Sequence, residues 1–202
     1  MIVAGLTGSI AMGKSTVAAM LAELGTPVFD ADVAVRTFYS EAGAARVEDL
    51  FPGVVADGLV DRERLSRIVL EDPAALARLE NLVHPAVAAA RASFVARAAR
   101  EGRRIAIVDV PLLLETGGEA TVDLVLVVSA SRAAQRARAL ARQGMTEAKL
   151  DAILARQTSD SEKRRRAHFV IDTNGSLSAT RAQVIQFLRA ASGLEGRGAS
   201  HA

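Results

Sequence analysis

Five short apolar segments interrupt an otherwise helix-like pattern along this chain, and none shows the polar alternation of a half-exposed strand. They are residues 2–6, 27–29, 104–110, 122–128 and 169–172. Continuous apolar runs of this length are typical of parallel strands that are buried on both faces. Between them apolar residues recur at helical spacing, beginning with residues 14–24. The alternation predicts an α/β fold in which helices cover a doubly wound, five-stranded parallel sheet.

Two intervals are longer than a crossover between parallel strands requires, which is about a dozen residues. Residues 31–103 have helical periodicity and no convincing strand, so we interpret them as a helical insertion that binds a second substrate. Within it, Pro85 predicts a kink or a break in the helical stretch at 73–100. Residues 131–167 form a smaller excursion, which we interpret as a lid.

The predicted lid contains a boundary between two helices. Gly144 indicates the break, Thr146 is the expected N-cap of the second helix, and Lys149 lies in its first turn. The nucleotide-binding core is then made of residues 1–30, 104–130 and 168–192. Residues 193–202 are small and polar-rich, and we expect them to be a disordered tail.

The most specific motif joins the first predicted strand to the first predicted helix. Residues 8–15 read Gly-Ser-Ile-Ala-Met-Gly-Lys-Ser, which fits the phosphate-binding pattern G-x-x-x-x-G-K-S/T. Glycines let the backbone turn so that consecutive N–H groups face phosphate oxygens at the positive end of a helix. Lys14 is predicted to reach the β- and γ-phosphates, and Ser15 to bind a magnesium ion. The motif predicts a nucleoside triphosphate site formed by Gly8, Ala11, Met12, Gly13, Lys14, Ser15 and Thr16.

Three carboxylates follow predicted strands at the sheet edge where open α/β sheets bind ligands. Asp30 and Asp32 come after the second strand, and either could simply cap the next helix. Phosphoryl transfer to a hydroxyl needs a base beside that hydroxyl, a role that we assign to Asp32. Asp109 ends the third strand, where phosphate-loop enzymes bind magnesium. A helix is predicted from residue 111, with Glu115 facing substrate or solvent.

Composition narrows the class of protein. The chain has 202 residues, of which 50% are hydrophobic, and this suits one α/β domain with a full core. It has no cysteine, which excludes disulfides and thiolate metal sites, and its three histidines are too dispersed for a metal cluster. No apolar stretch reaches membrane-spanning length, and the first is too short for a secretory signal. We therefore expect a soluble, unprocessed, cytoplasmic protein.

The formal net charge of +2 does not require a polyanionic partner such as DNA or a membrane surface. Basic residues nevertheless cluster in the predicted lid, at positions 132, 136, 138, 142, 156 and 163–166. They are interpreted either as solvated helix faces or as an arginine lid over phosphates. A nucleic-acid-binding ATPase is a rival interpretation, although the chain has no tryptophan and its only tyrosine, Tyr39, is far from residues 163–166. A guanine-nucleotide switch is disfavoured because the chain has no N-K-x-D segment.

Several segments together resemble the dephospho-CoA kinases, a family of adenylate-kinase-like phosphate-loop enzymes. The segments that carry this resemblance are residues 6–16, Asp30 to Asp32 with Arg36, His84-Pro85, residues 111–115, Gln135, Arg138, Arg142, Gln157, Lys163 and residues 170–175. Their order and spacing span most of the chain. The chain departs from the family pattern at two places. In the family, glycines are commoner in the loop interior, which is residues 9–12 here, and an aromatic residue is frequent at the position of Leu114. Both concern loop flexibility and pocket shape rather than the type of reaction.

The resemblance implies transfer of the ATP γ-phosphoryl group to the ribose 3′-hydroxyl of dephospho-CoA, the last step of coenzyme A synthesis. Asp32 matches the family's base, and Arg142 matches a lid arginine that meets the transferring phosphate. The nucleotide is expected to contact Arg138, Asn174 and Gly175. The acceptor is expected to contact Asp32, Arg36, His84, Pro85, Leu112 and Glu115.

The expected cofactors are ATP and Mg²⁺, the latter bound by Ser15 and Asp109. Apart from the small-molecule substrate we expect no nucleic-acid or membrane partner, and a monomer or weak homo-oligomer. Among kinases, the alternatives are a nucleoside monophosphate, shikimate or gluconate kinase, because an aspartate pair after the second strand also suits other small acceptors.

Overall fold

The five apolar segments form a five-stranded parallel sheet, so the predicted fold class is confirmed. The computed structural model describes residues 1–40 and 42–194. The strands of this part are, in chain order, β1 (Ile2–Thr7), β2 (Val28–Asp30), β3 (Val55–Ala56), β4 (Leu59–Val60), β5 (Ile105–Asp109), β6 (Leu124–Ser129) and β7 (Phe169–Asp172). Across the sheet the strand order is β2-β5-β1-β6-β7, and β3 pairs with β4 separately.

The sheet brings the carboxyl ends of several strands to one edge. β1 pairs in parallel with β5 on one side and with β6 on the other, and β6 pairs with β7. In this register Leu6 lies opposite Asp109, and Ser129 lies opposite Asp172. After β5, on one side of β1, the chain crosses to β6 on the other side, so the strand order reverses at β1. The carboxyl edge at such a reversal is the place where an open α/β sheet binds its ligand.

Helices cover both the sheet and a second unit. They are α1 (Lys14–Glu23), α2 (Ala31–Ser40), α3 (Ala42–Leu50), α4 (Arg62–Glu71), α5 (Pro73–Arg100), α6 (Arg132–Leu140), α7 (Glu147–Ala155), α8 (Asp160–Arg166) and α9 (Leu177–Ser192). α1 and α9 bury apolar side chains against the strands, among them Val17, Leu21 and Phe187. In the described part of the chain, no helix is long and apolar enough to cross a membrane.

The chain divides into two compact units. The first consists of residues 1–29 together with the residues from 95 onward, and it contains the five-stranded sheet. The second is Asp30–Phe94 and has its own apolar core, in which Val47 of α3 and Leu65 of α4 are buried. Each unit therefore has apolar packing of its own.

The expectation that residues 31–103 contain no strand is wrong, because β3 and β4 form an antiparallel hairpin. The two residues between these strands, Asp57 and Gly58, have φ angles of 51° and 76°. Positive φ at both central positions is the geometry of a tight hairpin turn, for which Asp-Gly is a strong sequence signal. Periodicity did not reveal the strands because two residues are too few to establish an alternation.

Two further local expectations differ from the structure. α5 continues through Pro85, which excludes a break there, while the alternative of a kink stays a prediction. The helix predicted from Pro111 is also wrong, because residues 111–117 form turns that lead into a short 3-10 helix, Gly118–Thr121. Gly117 has a φ of 71°, in the left-handed region where helices commonly end.

Residues 131–167 contain three short helices, α6, α7 and α8, where two were expected. Thr146 caps α7 as predicted, since its hydroxyl accepts a hydrogen bond from the N–H of Lys149 at 3.2 Å. Ser131 and Ser159 cap α6 and α8 in the same way. Of the predicted tail, residues 195–202 lie outside the described residues.

Candidate active site

The phosphate loop, residues 8–15, connects β1 to α1 at the carboxyl edge of the sheet. A Cβ atom on Gly8 would lie 2.7 Å from the carbonyl oxygen of Val128, and one on Gly13 would lie 3.2 Å from Thr173 Oγ1. Gly13 also has a φ of 91°, which residues with a Cβ rarely adopt. Both glycines are therefore required for the loop to pack against the strands.

An array of backbone N–H groups in this loop is open to an anion. The N–H of Met12 donates to the carbonyl of Ser9, and that of Val17 to Gly13, both at 3.2 Å. Within residues 1–40 and 42–194, no protein acceptor pairs with the N–H groups of Ala11, Gly13, Lys14, Ser15 and Thr16. Three of these groups belong to the first turn of α1, where helical partners are lacking and the helix dipole is positive. Such an array binds phosphate oxygens.

Lys14 and Asp109 form an ion pair between the start of α1 and the end of β5. Asp109 is only 4% exposed, and the Lys14 side chain is partly exposed. Ser15, the other predicted metal ligand, is exposed beside Lys14. A cation that attracts phosphate and a carboxylate that attracts a metal thus lie in contact at the loop.

Thr173 is a site residue to which the sequence patterns assigned no role. It is buried after β7, and its hydroxyl donates to the carbonyl of Met12 at 2.8 Å. The guanidinium of Arg138 donates to the hydroxyl and the carbonyl of Thr173 at 2.9 and 2.6 Å. The sulfur of Met12 in turn accepts the N–H of Ala130 at 3.0 Å. Two signals could have identified it: its position directly after a predicted strand, and its place within residues 170–175, one of the segments that carry the family resemblance.

Asn174 and Gly175 are exposed between β7 and α9. The amide nitrogen of Asn174 donates to both carboxylate oxygens of Asp172, at 2.9 and 3.0 Å. Its oxygen accepts the N–H of Ser131 at 2.8 Å. The Asn174 side chain is therefore occupied within the protein, and contact with a nucleotide base would come from the backbone here. Between α1 and α9 lies an open groove of about 360 Å³, lined by Thr16 among others.

Arg142 lies in the turn between α6 and α7 and is exposed. Arg136, on α6, forms ion pairs with Glu147 and Asp151 of α7. In the described part of the chain, the guanidinium of Arg142 forms no comparable pair. It is free to bind a phosphate, for which guanidinium has a suitable fork of donors.

The basic run at residues 163–166 is occupied by internal contacts instead. Each cation has a protein partner, and the pairs are Lys163 with Glu115, Arg164 with Ser129, Arg165 with Glu162, and Arg166 with Glu119. Lys163 is fully buried. Binding to nucleic acid requires cations that can reach backbone phosphates. Lys163 and Arg166 are held by glutamates, which disfavours such a role for these two, whereas Arg164 and Arg165 remain exposed.

Glu115 lies in the turns after β5 and contacts Lys163 of α8 and Thr158 just before that helix. Its Oε1 accepts hydrogen bonds from Lys163 Nζ at 2.7 Å and from the N–H of Thr158 at 2.8 Å. Its Oε2 is buried with no hydrogen-bond partner among the described residues. Burial raises the pKa of this carboxyl, but the bonds from Lys163 and Thr158 outweigh burial and leave the pKa below its ordinary value. The predicted contact of Glu115 with a substrate stays a prediction, as does that of Leu112, which is 43% exposed.

The acceptor candidates of the second unit lie on two of its helices. Asp32 and Arg36 are exposed on α2, one turn apart and therefore on one face. Asp30 has the capping role, because its Oδ1 accepts the N–H of Val33 at 2.9 Å. Neither Asp32 nor Arg36 has an ion pair within the described residues. His84 and Pro85 are exposed on α5, and their contact with an acceptor stays a prediction.

Comparison with known proteins agrees with this architecture. A family model described as dephospho-CoA kinase matches residues 1–179. A dephospho-CoA kinase of Rhodopseudomonas palustris (strain BisB18) is 55% identical over 186 residues, which cover 92% of this chain and 94% of that relative. The crystal structure of TT1252 from Thermus thermophilus aligns with a TM-score of 0.80 and 35% identity, over 94% of this chain and 96% of that one. The dephospho-CoA kinase of Campylobacter jejuni shares the fold, with a TM-score of 0.67 and 24% identity over the same shares. The chain belongs to the dephospho-CoA kinase family.

Proposed function

We propose that this protein transfers the γ-phosphoryl group of ATP to the ribose 3′-hydroxyl of dephospho-CoA and releases coenzyme A and ADP. The observation that carries the proposal is the family match over residues 1–179, because this stretch contains every candidate residue for both substrates. The phosphate loop supports it independently, since its unpaired N–H groups and Lys14 suit a triphosphate.

The donor half of the reaction rests on the phosphate loop. The N–H groups would bind phosphate oxygens, and Lys14 would neutralise the charge that accumulates on them in a loose transition state. Arg142 would bind the transferring phosphate from the other side, since its guanidinium is exposed and lacks an internal partner in the described chain. Arg138, Asn174 and Gly175 would contact the nucleoside.

Ser15 and Asp109 fit a magnesium ion by the chemistry of their donor atoms. A hydroxyl and a carboxylate are hard oxygen ligands, and magnesium usually completes its shell with phosphate oxygens and water. When bound, the ion supplies neutralisation of phosphate charge. Asp109 would then divide its negative charge between the ion and Lys14.

Asp32 is the proposed general base. Asp30 caps α2, so the exposed carboxylate of Asp32 is not needed for capping. It is therefore available to accept the proton of the acceptor hydroxyl, as a general base must. The remaining acceptor contacts are assigned to Arg36, His84, Pro85, Leu112 and Glu115. The cytoplasmic location and the monomeric or weakly self-associating state are further proposals.

The test is ADP release by the purified protein with ATP, Mg²⁺ and a panel of acceptors. Dephospho-CoA should stimulate release, whereas shikimate, gluconate and a nucleoside monophosphate should not. Lys14→Ala protein, purified identically, controls for contaminating kinases. Stimulation by another acceptor in place of dephospho-CoA would overturn the proposal, and stimulation by single-stranded DNA would favour the rival ATPase.

A further inference from the structure

The tip of the phosphate loop is bound by two glutamine side chains that are distant in sequence. Gln135 of α6 donates from Nε2 to the carbonyl oxygen of Ile10 at 2.9 Å. Gln157, in the turn after α7, accepts the N–H of the same residue on Oε1 at 3.1 Å. Both backbone polar groups of Ile10 are thus satisfied by glutamine amides of the segment 131–167.

These bonds determine the orientation of two successive peptide groups. In a planar trans peptide the C=O and the following N–H point in opposite directions. When Gln135 binds the carbonyl of Ile10, the N–H of Ala11 must point away from Gln135, and it is one of the N–H groups that no described acceptor uses. Likewise, the bond from Ile10 to Gln157 orients the carbonyl of Ser9, which accepts the N–H of Met12 at 3.2 Å.

Ala11 needs such support because its backbone is strained. Its φ is 61°, in the left-handed region that residues with a Cβ seldom adopt. A strained conformation persists only where its surroundings enforce it. Apolar packing contributes as well, because Ala11 is buried in a small cluster with Ala139 of α6 and Leu150 of α7. Side-chain contacts thus shape the loop interior at Ile10 and Ala11.

We infer that Gln135 and Gln157 are positioning residues, which set the peptide on either side of Ile10 so that the Ala11 N–H faces the bound phosphates. Gln135 is 5% exposed, so its amide has little access to water as an alternative partner. Loss of its donor would allow the peptide between Ile10 and Ala11 to rotate and would remove one phosphate ligand. The inference rests on the proposed binding of ATP by the loop.

The test is calorimetric binding of ADP to the unmodified protein and to Gln135→Met, Gln157→Met and the double variant. Methionine has a similar size and length but cannot form these hydrogen bonds. Each single variant should bind ADP about three- to tenfold more weakly, as expected for one lost hydrogen bond. Because both glutamines act on Ile10, the double variant should lose less than the product of the two single effects. Gln186→Met, on the exposed face of α9, is the matched control and should bind normally.

Kinetics distinguish positioning from a merely structural contribution. The KM for ATP should rise in Gln135→Met, while the KM for the acceptor stays within about twofold at a temperature well below the melting point. Unchanged ADP affinity in both single variants would overturn the inference and leave the proposed function intact. Failure of the unmodified protein to bind ADP or ATP would instead overturn the proposed function, and the inference with it. If Gln135→Met does not fold, the inference is tested with Gln157→Met alone, since Gln157 is only half-buried. Unchanged ADP affinity of that variant would then overturn the inference.

Discussion

The buried ion pair between Lys163 and Glu115 should stabilise the protein only while both charges are present. Lys163 is 0% exposed, and its ammonium lies 2.7 Å from Glu115 Oε1. Removing the charge of one partner leaves the other without a counter-ion, which typically costs about 3–5 kcal/mol. The Glu115 side chain retains 13% exposure, so some water can reach the site. We therefore expect the low end of this range, about 3 kcal/mol, for Glu115→Gln.

A set of variants separates charge from packing. Glutamine retains an acceptor for the N–H of Thr158, so Glu115→Gln changes mainly the charge. Lys163→Met removes the cation at similar volume, and the double variant contains neither buried charge. Replacing both charges of a buried pair is often nearly neutral, so the double variant should lie within about 1 kcal/mol of the unmodified protein. Arg165→Met is the control, because it breaks an exposed pair on the same helix and should cost less than about 1 kcal/mol.

Urea unfolding followed by circular dichroism measures these differences as shifts of the midpoint at constant slope. For a chain of this length, a loss of about 3 kcal/mol corresponds to a Tm roughly 6–12 °C lower. The reasoning is refuted if the double variant is as unstable as the sum of the two singles. It is equally refuted if Glu115→Gln is no less stable than the Arg165→Met control.

The same pair has a pH dependence of defined sign. The pKa of Glu115 is lowered in the folded protein, where burial is outweighed by the bonds from Lys163 and Thr158. Its contribution to stability is therefore complete above the ordinary glutamate pKa and is lost as the pH falls through the lower, folded-state pKa. Glu115→Gln should remove this part of the acid sensitivity, which the unfolding free energy measured from pH 6 to pH 3 would reveal.

Variants of the proposed active site have separate expected signatures. Asp32→Asn should retain ADP affinity but lose about 100-fold or more in kcat, because the proton acceptor is gone, and near-normal turnover in a coupled assay would remove Asp32 as the base. Lys14→Ala should abolish phosphoryl transfer, and an active variant would contradict the loop assignment. Asp109→Asn should raise the Mg²⁺ concentration at half-maximal rate, whereas an unchanged titration would exclude it as a ligand. Gly13→Ala should weaken ADP binding by about tenfold, since its φ of 91° strains alanine, and normal calorimetric affinity would refute this.

The sheet and the phosphate loop were predictable because their signals are local. A buried parallel strand is recognisable in the sequence as a run of apolar residues. The phosphate loop is recognisable from glycines and a lysine at fixed spacing. Segments with weaker local signals were missed. The hairpin of β3 and β4 has strands of only two residues, and the segment after Pro111 begins like a helix but reaches Gly117, whose φ of 71° ends it.

Contacts between distant residues were not predictable in the same way. Thr173, Gln135 and Gln157 shape the phosphate loop through bonds to Met12 and Ile10, which are 125 to 161 residues away in sequence. A buried amide or hydroxyl needs a hydrogen-bond partner, but the residues next to it in sequence do not identify that partner. The register of the sheet, the docking of α6 and the position of the turn after α7 bring these side chains to the loop.

The basic residues show how the fold changes the meaning of a charge pattern. Four successive cations at residues 163–166 suggest a surface for phosphates, yet α8 turns two of them toward glutamates of the segment after β5, with Lys163 and Glu115 separated by 48 residues. The spacing of three residues between Lys163 and Arg166 matches one helical turn, which lets both reach that segment from one face of α8. Arg142 lies outside any such cluster and is exposed without an internal pair in the described chain. Arg132 and Arg156 share this exposure without an ion pair in the described residues, and among these three arginines Arg142 is the one proposed to bind the transferring phosphate.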